Sequence, residues 1–320
     1  MMWCVKHSDG IWSLRVPMRD RALGYSLAYL ITDDAGALHV VDPGTGSDSN
    51  ELLLTDMVRS LGFRVHDIAS ITLTHYHPDH AGLANRLREA TDALVALHAA
   101  DVIAEHDIRR PEQRRSWARR YGRWGVPMEA RAQLLETVSQ RGARPALAVD
   151  LEIADGDVLP ISGRRIVVVH LPGHSPGSIA LRDDDLKLVM IGDHVLPTIY
   201  PAIGLGAAAS SNPVRDYLRS LEKVAALDDH EVLPGHEETF RGLARRCVAT
   251  AEHHLRRTRE IASYASEPAR TPWEMAQRLS WKGGWDSLTG MRLASALQQV
   301  VFHSRYLATA EGRDAVASGL

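Results

Sequence analysis

The densest ligand chemistry in this chain sits in one short stretch, His75-Tyr76-His77-Pro78-Asp79-His80. Three imidazoles and a carboxylate follow the apolar run Ile71-Thr72-Leu73-Thr74. A run of this kind ending at a Pro-Asp turn reads as a buried strand feeding a loop. Alternate side chains of a strand share a face, so His75 and His77 can point together. Asp79 and His80 then follow on the turn, toward a second point. Imidazole and carboxylate are the donors that Zn2+ takes when one position is kept open for water.

Later segments repeat the construction. Leu171-Pro172-Gly173-His174 follows the strand-like Ile166-Val167-Val168-Val169. Ile191-Gly192-Asp193-His194 follows Leu188-Val189-Met190, and Leu233-Pro234-Gly235-His236 follows Glu231-Val232. Upstream, Val40-Val41-Asp42-Pro43-Gly44 has the same shape with a lone Asp. In each, a strand ends, a Gly permits a sharp turn, and a His or Asp is presented at the strand end. Loops at strand ends converge on one mouth, where active sites gather.

Taken in order, these pieces resemble the signature of the metallo-β-lactamase superfamily: HxHxDH, then a His, an Asp and a His, here over about residues 20–245. The resemblance implies that His75, His77 and His174 hold one metal, that Asp79, His80 and His236 hold another, and that Asp193 bridges both. It also implies that Asp42 braces the ligand loop from behind, a support that orients ligands and raises affinity. Two Zn2+ ions are the default for this donor set, with Fe or Mn accepting the same ligands. Two such ions lower the pKa of a shared water from about 16 toward about 7. A bridging hydroxide would then attack a carbonyl or phosphoryl group, with Asp79 or a metal-bound water returning the proton. The implied reaction is hydrolysis, with Asp79 and Asp193 as its catalytic carboxylates.

One departure narrows the expectation. The antibiotic-degrading members commonly carry Cys where this chain has Asp193, and its two cysteines, Cys4 and Cys247, lie outside every motif. The sequence is therefore more similar to hydrolases of the glyoxalase II, lactonase and thioesterase type, or to the nucleases. The expected substrate is a small, anionic thioester, ester or lactone; the alternative is an endoribonuclease-like cleavage of phosphodiesters. A net charge of -3 gives no global basic excess to draw nucleic acid, which makes it the less favoured partner. No apolar run of about 18 residues offers a membrane span. Met1 to Asp9 lack the apolar core of an export leader, and two distant cysteines give no disulfide framework, so a cytoplasmic enzyme is expected. The oligomeric state stays open, a homodimer being one outcome.

The elements that must position these residues alternate between strand and helix, which gives an α/β class. Strands are expected from Gly24 to Ile31 and from Leu38 to Val41, around the turn Asp33–Gly36. A helix from Glu51 to Leu61 is expected with Ser49 or Asn50 as its cap. Another runs from Ala81 to about Glu89, followed by a strand from Ala93 to Leu97. Asn212 and Pro213 open a helix to Leu227. The resemblance sharpens this to an αββα sandwich over residues 1–250, with a helical insert at about 102–148 and a small all-α, winged-helix-like domain at 251–320.

In the insert, Arg110, Arg114, Trp117, Tyr121 and Trp124 share a helical face. Arg114, Trp117 and Tyr121 are candidate substrate contacts, a cationic and aromatic wall for an anionic handle. The alternative is a solvated helix with its aromatics tucked into the body. Met128 to Gln140 is expected as a second helix, with Met128, Ala132, Leu135 and Val138 inward. The tail reads as helices from His253 to Tyr264, from the capping box Thr271-Pro272-Trp273-Glu274 to Leu279, and from Met291 to Tyr306. Its last helix lacks a compact basic face, which favours packing beside the site over DNA reading. His170 and His194 flank motifs and are expected to be satisfied core imidazoles, the alternative being support of the ligands from behind.

Overall fold

The computed structural model describes residues 4–18, 23–206, 211–264 and 271–317. Seven strands form one sheet in chain order: β1 (Cys4–Ser8), β2 (Ile11–Pro17), β3 (Tyr25–Thr32), β4 (Leu38–Val41), β5 (Ile68–Thr72), β6 (Leu94–His98) and β7 (Leu151–Ile153). Pairing is antiparallel from β1 to β4 and parallel from β4 to β7. A second sheet holds β8 (Ile166–His170), β9 (Ile179–Asp183), β10 (Leu188–Gly192) and β11 (Glu231–Pro234). Here β9 is antiparallel to both neighbours, and β10 and β11 run parallel.

The helices are α1 (Asp48–Ser60), α2 (Pro78–Ala81), α3 (Ala84–Thr91), α4 (Ala99–Arg109), α5 (Gln113–Arg123), α6 (Met128–Gly142), α7 (Pro213–Ala225), α8 (Leu243–Ala262), α9 (Pro272–Arg278), α10 (Gly290–Leu307) and α11 (Ala310–Ala317). Strand alternation builds the layers. In β3, Leu27, Tyr29 and Ile31 pack between the sheets, while Ala28 and Leu30 face α1 and α3 on the outside. In β10, Leu188 and Met190 join the core between the sheets, and Val189 and Ile191 face α7, α8 and α10. Strands buried on both faces read as continuous apolar runs, as these do. The result is the expected αββα sandwich with C-terminal helices.

The structure shifts several expected boundaries. Ser47 caps α1 by accepting from the Asn50 amide, so the helix starts before Ser49. Asn50 is buried and donates instead to the carbonyls of Pro17 and Thr45. The helix expected from Ala81 breaks into α2 and α3 because the Gly44 backbone wedges in between. The Gly44 amide bonds the His80 carbonyl, and the Leu83 amide bonds that of Gly44. Met128 is 74% exposed, and Leu134 takes the inward place instead. The hairpin β1–β2 has no counterpart among the elements expected from the sequence.

The insert and the tail share one apolar core. Tyr121, Val126 and Leu134 from the insert meet Ile261, Leu297 and Val300 from the tail. The expected boundary at 250/251 falls inside α8, which runs unbroken from Leu243 to Ala262. Its residues Leu243 and Cys247 share a core with Phe302 and Tyr306 of α10. Thr271 and Glu274 form the expected capping box of α9. In α10, Leu293, Leu297, Val300 and Tyr306 are buried and Val301 is half-buried. Among the described residues of the tail there is no strand, hence no wing. No helix among the described residues is long and apolar enough to cross a membrane.

Candidate metal centre

The motif residues leave the sheets at one rim. β4, β5 and β6 are parallel, as are β10 and β11, so Asp42, His75, Asp193 and His236 all stand at C-terminal strand ends. Backbone bonds tie the two sheets together there. The Ile179 amide donates to the Thr74 carbonyl at 2.9 Å, and the Leu27 amide to that of Gly235 at 2.8 Å. The Tyr29 hydroxyl adds a bond to the Pro234 carbonyl at 2.6 Å.

Two groups of donors result. Ligand atoms of His75, His77 and His174 lie within 4.8 Å of one another, and so do those of Asp79, His80, Asp193 and His236. Asp193 stands between the groups, with Oδ2 3.3 Å from His236 Nε2 and 3.8 Å from His174 Nε2. Its Oδ1 is 3.3 Å from His80 Nε2. His174 Nε2 faces His77 Nδ1 at 3.0 Å. Asp79 is only half-buried, 3.5 Å from His236 Nε2, and is the open edge of the site.

The protein sets the orientation of four of the five rings from behind. His80 Nδ1 meets Asp42 Oδ2 at 2.9 Å. His75 Nδ1 bonds Thr74 Oγ1 at 3.1 Å, and that hydroxyl in turn donates to Asp42 at 2.6 Å. His174 Nδ1 donates to the Ala202 carbonyl at 2.6 Å, and His236 Nδ1 to that of Tyr25 at 2.7 Å. A ring that donates through Nδ1 offers the Nε2 lone pair inward. Asp42 thus braces two rings and the Thr74 amide, from a left-handed backbone (φ 51) that Asp tolerates.

The donor set fits a divalent metal pair. Nε2 of His75, His80 and His236 and Oδ1 of Asp193 are buried without a hydrogen bond. Buried polar atoms rarely stay so unless they serve another purpose. Burial, then the neighbouring imidazoles, holds His75 well below its ordinary pKa, and burial lowers His174 too; both rings are neutral, the form that ligates. At His80 and His236 burial opposes charge, but Asp193 and its neighbouring carboxylates overcome it, lifting His236 to about 10. Burial likewise opposes the Asp193 carboxylate, and His236 and His80 hold its pKa well below the usual range. Those carboxylates hold positive charge, which is what a cation needs.

Gly235 makes this packing possible. A Cβ there would fall 2.3 Å from Asp193 Oδ1 and 2.7 Å from His80 Cε1. Gly173, at φ +147, likewise leaves no room, since its Cβ would meet Tyr217 at 2.4 Å.

Sequence reasoning missed Asp101. This fully buried residue in the first turn of α4 accepts from the amides of Tyr76 (3.1 Å) and Gly177 (2.6 Å) and from the Ser175 hydroxyl (2.8 Å). It therefore ties the loop of His75 and His77 to the loop of His174. Burial raises its carboxyl to about 6, against those three hydrogen bonds. Nothing local in the sequence marks it, because its partners are distant in the chain. His194 is buried with both ring nitrogens unbonded and its pKa pushed down to about 3 by burial.

A cavity of about 450 Å3 opens beside the centre, between the insert and the tail. Gly173 and Ser175, the neighbours of His174, form one wall; Ile108, Trp117, Tyr121 and Met291 form others. Of the candidate substrate contacts, Trp117 and Tyr121 line it. Arg114 is exposed and is not among the lining residues, where Arg120 stands instead.

Comparison with known proteins agrees with this geometry. The profile described as Metallo-beta-lactamase superfamily matches residues 21–236. The probable metallo-hydrolase YqjP of Bacillus subtilis is 23% identical over 278 residues, 85% of each chain. Acyl-coenzyme A thioesterase MBLAC2 of Gallus gallus is 28% identical over 225 residues, 63% of this chain and 69% of that protein. A metallo-beta-lactamase family protein from Thermus thermophilus superposes with a TM-score of 0.79 at 28% identity, over 94% of each chain.

Proposed function

The chain belongs to the metallo-β-lactamase superfamily, and from that premise we propose that it is a binuclear metal-dependent hydrolase of a small anionic thioester, ester or lactone. The observation that carries this reading is Asp193, within 3.8 Å of imidazoles of both donor groups and so placed to bridge two ions. His75, His77 and His174 would hold one ion, and Asp79, His80 and His236 the other. Zn2+ suits the donor set, as do Fe and Mn. A bound pair supplies a water acidic enough to attack at neutral pH and a Lewis acid for the carbonyl oxygen.

The chain's own residues do the rest. Asp42 and Thr74 fix the rings, Asp101 locks two ligand loops together, and Asp79 at the open edge can carry a proton to the leaving group. Carbonyl rather than phosphodiester cleavage is supported by the largely apolar cavity beside His174 and by the likeness to a thioesterase.

The test is turnover of an acyl-coenzyme A thioester, a lactone and a single-stranded RNA by zinc-, iron- or manganese-loaded protein, with His75→Ala as control. Metal-dependent cleavage of the thioester or lactone is expected. Cleavage of the RNA alone would reassign the centre to phosphodiesters.

A further inference from the structure

Away from the metal centre, Arg120 and Arg123 of α5 and Arg305 of α10 converge on one cavity of about 350 Å3. Two of the guanidiniums are held against aromatic faces. Arg120 lies 4.8 Å above the Trp117 ring, and Arg305 5.9 Å from the Phe302 ring. Arg305 also donates to the Ser211 carbonyl. Among the described residues no carboxylate pairs with any of the three. Other part-buried arginines of this chain do find one: Arg109 pairs with Glu105, and Arg257 with Glu260. Burial, then the charges of Arg123 and Arg305, holds Arg120 below its ordinary pKa. Mutually repelling guanidiniums without acids, two of them fixed against rings, favour an anion between them, and their planar forks match phosphate oxygens.

The cavity shares Trp117, Arg120 and Gln298 with the larger one that begins at Gly173 and Ser175. A single extended ligand can therefore reach from the His174 loop to the three arginines. We propose that Arg120, Arg123 and Arg305 form a subsite for the phosphate or diphosphate group of a small organic substrate whose reacting end lies at the metal centre. The aromatic walls Trp117, Trp124 and Phe302 then cover the organic part next to the phosphate. A volume of about 350 Å3 suits one such group, within the range of small-molecule sites, and the net charge of -3 disfavours a polyanion. The subsite deepens the reading of the chain as a hydrolase of anionic esters, but its test does not need turnover.

Metal-stripped full-length protein is titrated with ADP, pyrophosphate, adenosine and a single-stranded RNA 12-mer, following tryptophan fluorescence and heat. ADP is expected to bind about ten-fold or more tighter than adenosine, with pyrophosphate competing for the same site. Arg120→Gln and Arg123→Gln should each weaken ADP by about ten-fold, the loss of a charge-assisted hydrogen bond. Arg305→Gln should act alike. Because Arg305 also supports Ser211, the exposed Arg123 remains the decisive position if that variant misfolds. Equal binding of ADP and adenosine, or unaltered ADP affinity in folded Arg123→Gln and Arg120→Gln, would overturn the proposal. So would RNA binding more tightly than ADP through these arginines. Hydrolysis without ADP binding would sink the subsite and leave the hydrolase; ADP binding without hydrolysis would do the reverse.

Discussion

Replacing Asp101 by Asn removes a buried carboxyl that joins the two ligand loops. Its carboxyl is fully buried, and burial raises it from 3.8 to about 6 despite three hydrogen bonds. At 1.36 kcal/mol per tenfold change, that gap corresponds to about 3 kcal/mol. The sign follows from linkage. Between pH 3.8 and about 6 the folded protein holds a proton at Asp101 that the unfolded chain has released. The contribution to stability is therefore fully present below the unfolded value and is lost as pH rises through about 6. Across about pH 4.5 to 7.5 the wild type should lose about 2 kcal/mol that the Asp101→Asn variant cannot lose. Asn also turns its NH2 toward the Tyr76 or the Gly177 amide, both of which only donate, so the variant is less stable throughout. Its deficit is greatest at low pH and shrinks by about 2 kcal/mol on the way up. Urea unfolding of both proteins in chelator over that range measures the deficit, and the subtraction cancels every other titrating group. A deficit that is flat with pH, or that grows, refutes the account of Asp101 as a carboxyl burdened by burial.

Other expectations are simpler. Asp193→Ala should lower bound metal, measured by elemental analysis after equilibration with zinc, and abolish turnover; full activity would rule out a two-ion centre. Gly235→Ala, which drives a Cβ to 2.3 Å from Asp193 Oδ1, should lose metal while circular dichroism stays native. Leu297→Ala, at a fully buried position in the core shared by insert and tail, should cost about 2–5 kcal/mol in urea unfolding. Thr271→Ala removes the α9 cap and should cost only about 1 kcal/mol.

The centre is legible because its residues obey a local rule: an apolar strand ends and a His or Asp follows, at His174, Asp193 and His236 directly after a Gly. His75, His174, Asp193 and His236 can each be picked out within a few residues of an apolar run. Asp101 cannot, since its partners Tyr76, Ser175 and Gly177 lie 25, 74 and 76 residues away. Among the helices, α7 is readable from its Asn-Pro start and α9 from its capping box. The phase of α6 is not, because its inward stripe answers to the tail. Leu134 is buried against Ile261 and Leu297, while Met128, equally apolar, stays in solvent. The split between α2 and α3 is hidden too, being made by a backbone wedge from Gly44. Periodicity reports a face; it does not report which distant element will cover it.

The cavity beside the centre has a wall from either side of the chain's middle: Ala100 to Val138 before it, Met291 to Gln298 after it. The donor residues are complete once His236 has been made, whereas that second wall begins only at Met291. Domains generally fold as units during synthesis, not residue by residue. The donor residues emerge first, but the outer face of their sheet, Val189 and Ile191, waits for Phe302 and Tyr306 of α10 to cover it. The same helix that closes the cavity with Met291 and Gln298 also backs the sheet that carries Asp193, so chemistry and selectivity are completed in one docking event.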